Sequence, residues 1–216
     1  IDRGRTRRTL ALPGPLSLSF LAYAMEVNAQ AAKGRAGGHE IWLHIPMEPS
    51  SSTVDPGPNV LLSGEPKAEL LRSLNWNLDQ LHDYVGVNNH MGSRFTADLE
   101  GMRGVMGELQ RRGLAFLDSV TSANSVGHKV AREAGIPFTL RNIFLDHEDD
   151  LETINKQLAK VEKLAKNQGY AIAIGHPRET TLKALAPWLE TLEQRGFQLV
   201  PVSALLRVPA EQAAKQ

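Results

Sequence analysis

Short apolar runs alternate with amphipathic stretches from one end of the chain to the other. The runs "LSLSF" (16–20), "IWLHI" (41–45), "VGVNN" (85–89), "LAFLD" (114–118), a stretch within "FTLRNIFL" (138–145), "AIAIG" (171–175) and "FQLVPV" (197–202) read as buried strands, and Ile1-Asp2 reads as the tail of one more. Between them, "PKAELLRSLNWNLDQL" places Leu70, Leu71, Leu74, Leu78 and Leu81 on one helical stripe. "LEGMRGVMGELQRRG" does the same with Met102, Val105, Met106 and Leu109. Gly113, Gly169 and Gly196 each follow a helical pattern and read as C-terminal caps leading into a strand. This rhythm predicts βα units around a largely parallel sheet, an α/β fold in one domain over 1–208, followed by a tail at 209–216. One stretch breaks the alternation. "MEPSSSTVDPGPNVLLSG" is rich in Pro, Ser and Gly and reads equally as a substrate-side loop or a plain surface excursion.

Charge and composition narrow the chemistry. Lys+Arg and Asp+Glu both total 24 in 216 residues, so no global field draws in nucleic acid or an anionic membrane, and a neutral small or polymeric substrate fits better. The absence of cysteine excludes disulfides, thiolate ligands and cysteine nucleophiles. Metal ligation would fall to His, Asp and Glu. No stretch approaches the roughly 20 apolar residues of a membrane span, and the start at Ile1 shows no signal-peptide pattern, so an export signal is expected upstream.

The polar residues that interrupt the rhythm gather at predicted strand C-termini: Asp2, His44 with Glu48, Asn88-Asn89-His90, Asp118, Asp146-His147 and His176. In parallel α/β folds that edge is where loops converge on a site. His39, His82 and His128 lie on expected turns or helices and read as structural. Asp118 and Asp146 divide evenly between site residues and caps of the following helix. Asn89 and Arg94 serve a site or equally hold a loop through hydrogen bonds to backbone carbonyls. Imidazole and carboxylate are the ligands that Zn²⁺ takes from a cysteine-free protein, and a site with three such ligands keeps a position open for water. These donors suit cobalt, nickel and manganese as well, and zinc is the expectation.

The segments "LALPGPLSLSFLAYA", "AGGHEIWLHIPMEP", "GVNNHMGSRFTAD", "RRGLAFLDSVT", "RNIFLD", "AIAIGHPRETTLKAL" and "LEQRGFQLVPVSAL" run in collinear order from about Leu10 to Leu206. With them the chain resembles the divergent polysaccharide deacetylases, the YibQ-like branch of the NodB-homology carbohydrate esterases. The resemblance implies a distorted (β/α)7, TIM-like barrel with a metal site at the C-terminal ends of its strands. It places Asp2 where the superfamily carries an aspartate pair, one base and one ligand; no second aspartate is visible, since Arg3 follows. His44 matches the first metal-binding histidine, Glu48 falls where the second would be, and His90 is the implied source of the other imidazole. His176 resembles the general acid, with metal ligation an equal alternative, and Asp118 or Asp146 would orient it. Glu48, Asn88, Asn89, Ser93 and Arg94 are expected around the metal or substrate. The superfamily's Arg-Pro-Pro-Tyr loop has no match; "NNHMGSRF" occupies its region, where the amides of Asn88 and Asn89 or a backbone N–H near Gly92 are candidates for an oxyanion site. The implied activity is metal-dependent removal of an acyl group, N-acetyl in the first place, from an envelope glycan in the periplasm or outside the cell. The alternative is a barrel that binds a glycan or envelope partner without turnover.

Overall fold

The computed structural model describes residues 3–207, so the expectations at Ile1, Asp2 and the tail 209–216 lie outside the described residues. In chain order the elements are α1 (Arg3–Leu10), β1 (Ser17–Leu21), α2 (Val27–Ala36), β2 (Glu40–Met47), α3 (Lys67–Leu78), β3 (Gly86–Met91), α4 (Leu99–Arg112), β4 (Ala115–Asp118), α5 (Gly127–Glu133), β5 (Phe138–Leu140), β6 (Ile143–Phe144), α6 (Leu151–Gln168), β7 (Ala173–Ile174) and α7 (Glu179–Glu190). The described residues fall into two compact units that the chain visits alternately, 18–31, 41–140 and 206–207 in the larger, 3–17, 32–40 and 141–205 in the smaller.

The larger unit carries a five-stranded sheet in the order β1-β2-β3-β4-β5. β2, β3, β4 and β5 pair in parallel, and the register sets His44 beside Asn88, Pro46 beside His90, and Asn88 beside Leu117. β2 is buried on both faces through Ile41, Trp42, Leu43, Ile45 and Met47, the near-continuous apolar run expected of a covered parallel strand, with His44 as its polar interruption. Of the expected α3 stripe, Leu70, Leu74 and Leu78 are buried, Leu71 is half-buried and Leu81 is buried just past the helix end, while α4 buries Met102, Val105, Met106 and Leu109 as the spacing predicts. Asp98 starts α4 by accepting from the Glu100 and Gly101 N–H groups, and Gly113 ends it in the left-handed region.

The smaller unit has a two-stranded parallel sheet, β6 with β7, under a core of Leu145, Ile154, Leu158, Val161 and Ala184. α6 begins on Asp150, which accepts from Thr153 N–H, and stops at Gly169. Among the described residues no helix is long and apolar enough to cross a membrane.

Two strand expectations change. The run 138–145 is two strands in different sheets, β5 and β6. The chain turns at Asn142, whose own N–H donates to Ile172 O while its side-chain oxygen accepts from Ile172 N–H, so β6 opens against the approach to β7. The run 197–202 forms no strand and ends in a 3-10 turn, Val202–Leu205. Pro201 has no N–H for a ladder, and the next two N–H groups find side chains instead: Val202 donates to Ser17 Oγ and Ser203 to Glu40 Oε1. Gly196 keeps its expected cap conformation but leads into this irregular stretch.

Candidate functional site

In the larger unit, strand register assembles the first group of residues. Side chains alternate across a strand, so Asn88 and His90 share one face of β3, and pairing with Asn88 puts His44 on that face too. His44 Nδ1 lies 3.0 Å from Asn88 Oδ1. An amide oxygen only accepts, so His44 carries its proton on Nδ1 and keeps a lone pair on Nε2. That Nε2 lies 3.1 Å from His90 Nδ1, with the two rings edge to face at 4.8 Å. The separation is a hydrogen-bond length, and it is also close to the ~3.3 Å expected between two nitrogens bound tetrahedrally at 2.0–2.1 Å to one zinc ion. Two of the three expected ligands are thereby brought together; Asp2, the third, lies outside the described residues. Among the described residues no three His, Asp or Glu side chains form a group able to hold a metal.

The remaining expected residues of this unit hold its strand ends and loops in place. Asn88 Nδ2 donates to Ser119 Oγ. Asn89 lies on the opposite face, is buried, accepts from Ser119 N–H and donates to Met91 O, so its amide ties the loops after β3 and β4 together. Asp118, with no exposed surface, takes the Val120 N–H on one oxygen and the Ser125 hydroxyl on the other. Because Leu117 pairs with Asn88, Asp118 falls on the face away from the two imidazoles, and it organises the approach to α5. Glu48 accepts from Ser63 N–H and pairs with Arg94 at 3.1 Å, while its carbonyl takes the Arg94 and Phe95 N–H groups. Ser93 Oγ accepts from Ser50 N–H. Glu48, Ser93 and Arg94 therefore fasten the Ser/Pro-rich loop to the turn after β3. That turn needs Gly92, at φ 85°, where a Cβ would come within 2.8 Å of Met47 Cβ.

The smaller unit holds a second group. Asp146 is fully buried and accepts three hydrogen bonds: His176 Nδ1 at 3.1 Å on one oxygen, and His176 N–H and the Thr181 hydroxyl at 2.7 and 2.8 Å on the other. Burial alone would raise the pKa of this carboxyl, but the bonds from the His176 ring, its N–H and Thr181 outweigh that cost and hold it below the ordinary aspartate range. The His176 side chain stays 45% exposed, beside the edge of Phe144. A buried carboxylate therefore fixes the Nδ1–H of an accessible imidazole and leaves its Nε2 for proton transfer. Arg178 donates to Asp146 O. Ser119, Thr181 and Arg178 carried no sequence signal, since each acts on a partner about 30 or more residues away.

The chain belongs to the divergent polysaccharide deacetylase family, whose model matches residues 2–206. It is 34% identical over 202 residues to the uncharacterized protein YibQ of Escherichia coli (strain K12), covering 94% of this chain and 63% of that protein. An uncharacterized protein of Haemophilus influenzae is 35% identical over 198 residues, 91% of this chain and 70% of its own length. The chain thus spans slightly less than two thirds of the E. coli relative. A crystal structure of an uncharacterized protein from Agrobacterium tumefaciens C58 matches with a TM-score of 0.91 at 30% identity, over 95% of this chain and 84% of that one. The α/β fold with its five-stranded parallel sheet agrees with the NodB-like architecture, and the family is deacetylase-like.

Proposed function

We propose that this chain is a metal-dependent hydrolase that removes an acyl group, N-acetyl in the first place, from an envelope polysaccharide in the periplasm or outside the cell. His44 and His90 would hold a divalent cation, zinc in the first instance, with Asp2 as third donor. The observation that carries this reading is the pair of ring nitrogens facing each other at 3.1 Å in a member of this family, with the other nitrogen of His44 held by Asn88. When bound, such an ion polarises the acyl carbonyl and lowers the pKa of water toward about 7.

The protein's own groups do the remaining work. Asn88 holds the His44 proton on Nδ1, so the unprotonated Nε2 faces His90. Asp146 fixes the His176 ring through its Nδ1–H, so His176 is assigned the proton that the departing amine nitrogen takes up. Acetate release from N-acetylated glycans, followed with protein as purified, after chelation and after zinc is restored, tests the reading. Release should stop on chelation, return with the ion, and fall by about 10²–10⁴ in His176→Ala. Metal-loaded protein that binds these glycans and frees no acetate would instead support binding without turnover.

A further inference from the structure

A solvent-open cleft of about 570 Å³ lies on the larger unit, at the end of β1. Tyr23, Glu26 and Asn28 line it from the turn into α2, Pro58 from the Ser/Pro-rich loop, and Trp76 and Gln80 from the end of α3. None of its lining residues belongs to the imidazole pair. We propose that this cleft is a second carbohydrate-contact site, which takes a neutral pyranose of the polymer against the rings of Trp76 and Tyr23; the choice of a glycan rests on the function proposed above.

Trp76 is one of few large apolar side chains left in solvent, at 37% exposure, whereas Trp42 is wholly buried in β2. It stands off the buried stripe of α3, so packing within the helix layer does not account for it. Tyr23 is held in place on two sides. Its hydroxyl donates to Pro56 O at 3.1 Å, and Gly57, at φ 98°, passes so close that a Cβ there would sit 2.6 Å from the ring. Gly57 N–H in turn donates to Asp55 Oδ1. The next stretch of the loop is pinned as well, since the buried Asn77 amide donates to Asn59 O. On the other wall Asn28 donates to Gln80 O and accepts from His82 N–H, locking the first turn of α2 to the segment after α3. These bonds lie within the protein itself, and walls fixed in this way reduce the ordering that binding costs.

The lining selects the ligand class. It contains no Lys, Arg or His and a single carboxylate, Glu26, which disfavours phosphates, nucleic acid and acidic polymers. Aromatic rings offer flat apolar faces to the C–H face of a sugar, while amide and carboxylate groups at the rim match hydroxyls. The volume falls within the roughly 300–1,000 Å³ of small-molecule sites. The cleft's place suits a polymer. β1 neighbours β2, the strand that carries His44, in the sheet.

Calorimetric titration with N-acetylchitotetraose, and with cellotetraose as the unacetylated arm, tests this on the full chain and on Trp76→Ala, Trp76→Phe, Gln80→Ala and His90→Ala. At least one sugar should bind; Trp76→Ala should weaken it by about tenfold or more, Gln80→Ala by a smaller factor, and Trp76→Phe should recover most of the loss. His90→Ala should abolish acetate release and leave this binding in place. Unchanged affinity in a folded Trp76→Ala, no heat with either sugar, or loss confined to His90→Ala would each overturn the proposal. Binding that follows this pattern in a protein releasing no acetate would uphold the cleft and count against the hydrolase instead.

Discussion

At His44 one hydrogen bond decides which nitrogen carries the proton, and with it whether the ring can act as a ligand. Asn88 Oδ1 takes the Nδ1–H, so the Nε2 lone pair faces His90 Nδ1. Replacing Asn88 by Leu removes the acceptor and lets the other tautomer compete. Zinc affinity measured by competition with a chromophoric chelator should fall by about 10–100-fold, while Asn88→Asp, which still accepts, should retain it. Asp146 carries the second residue-scale expectation. Its folded-state pKa is depressed, so the stability it contributes is present above the unfolded value of about 3.9 and is lost as pH falls through the lower folded value. Denaturant midpoints followed from neutral pH into the acid range should therefore fall less steeply in Asp146→Asn than in the parent below about pH 4. Parallel slopes would mean the carboxyl is not tied to His176 and Thr181 as described.

The strand-end residues were legible as a set because polar side chains interrupt otherwise apolar runs. Their separate duties were not. His44, His90, Asp146 and His176 form the two imidazole-based groups, while Asp118 and Asn89, equally conspicuous in sequence, turn away to hold loops. The difference is a matter of which face of the strand each residue occupies. Register fixes that, and a single chain does not display its partner strand. His39, read as structural, is buried and accepts from Leu16 N–H through Nδ1 at 3.2 Å, with Nε2 3.3 Å from Leu10 O.

Elements followed the sequence wherever the information was local. The α3 and α4 stripes and the glycine stops at 113 and 169 all rest on contacts within one or two turns. The failures came where a distant group supplied the decisive bond: Ile172 at the break between β5 and β6, Ser17 and Glu40 at the irregular stretch after Pro201. Asp98 joins the two kinds of information. It caps α4 through Oδ1, and its Oδ2 accepts from Gly64 N–H, so one carboxylate starts a helix and anchors the end of the long loop. Asp98→Ala should cost about 1–2 kcal/mol in chemical denaturation, whereas Asp98→Asn should recover most of it. No change in Asp98→Ala would show that neither bond matters to the fold.

For the whole molecule, the family match spans 2–206 and the expected helices and most of the expected strands recur within it, so the α/β architecture was accessible from periodicity and motif order. The division into two compact units was not, because the chain crosses between them at 17/18, 31/32, 40/41, 140/141 and 205/206 with no composition shift to mark the crossings. The imidazole pair belongs to the larger unit and the Asp146–His176 dyad to the smaller. Zero net charge leaves the molecule without a steering field, in keeping with an uncharged glycan as ligand. The account turns on whether His44 and His90 share one cation. Elemental analysis of the purified full chain beside His44→Ala and His90→Ala, each confirmed as folded by circular dichroism, tests this most directly. The account predicts close to one divalent ion per chain in the parent and loss of most of it in either variant. Full occupancy in both variants, or a parent that takes up no zinc, cobalt, nickel or manganese after metal loading, would contradict it.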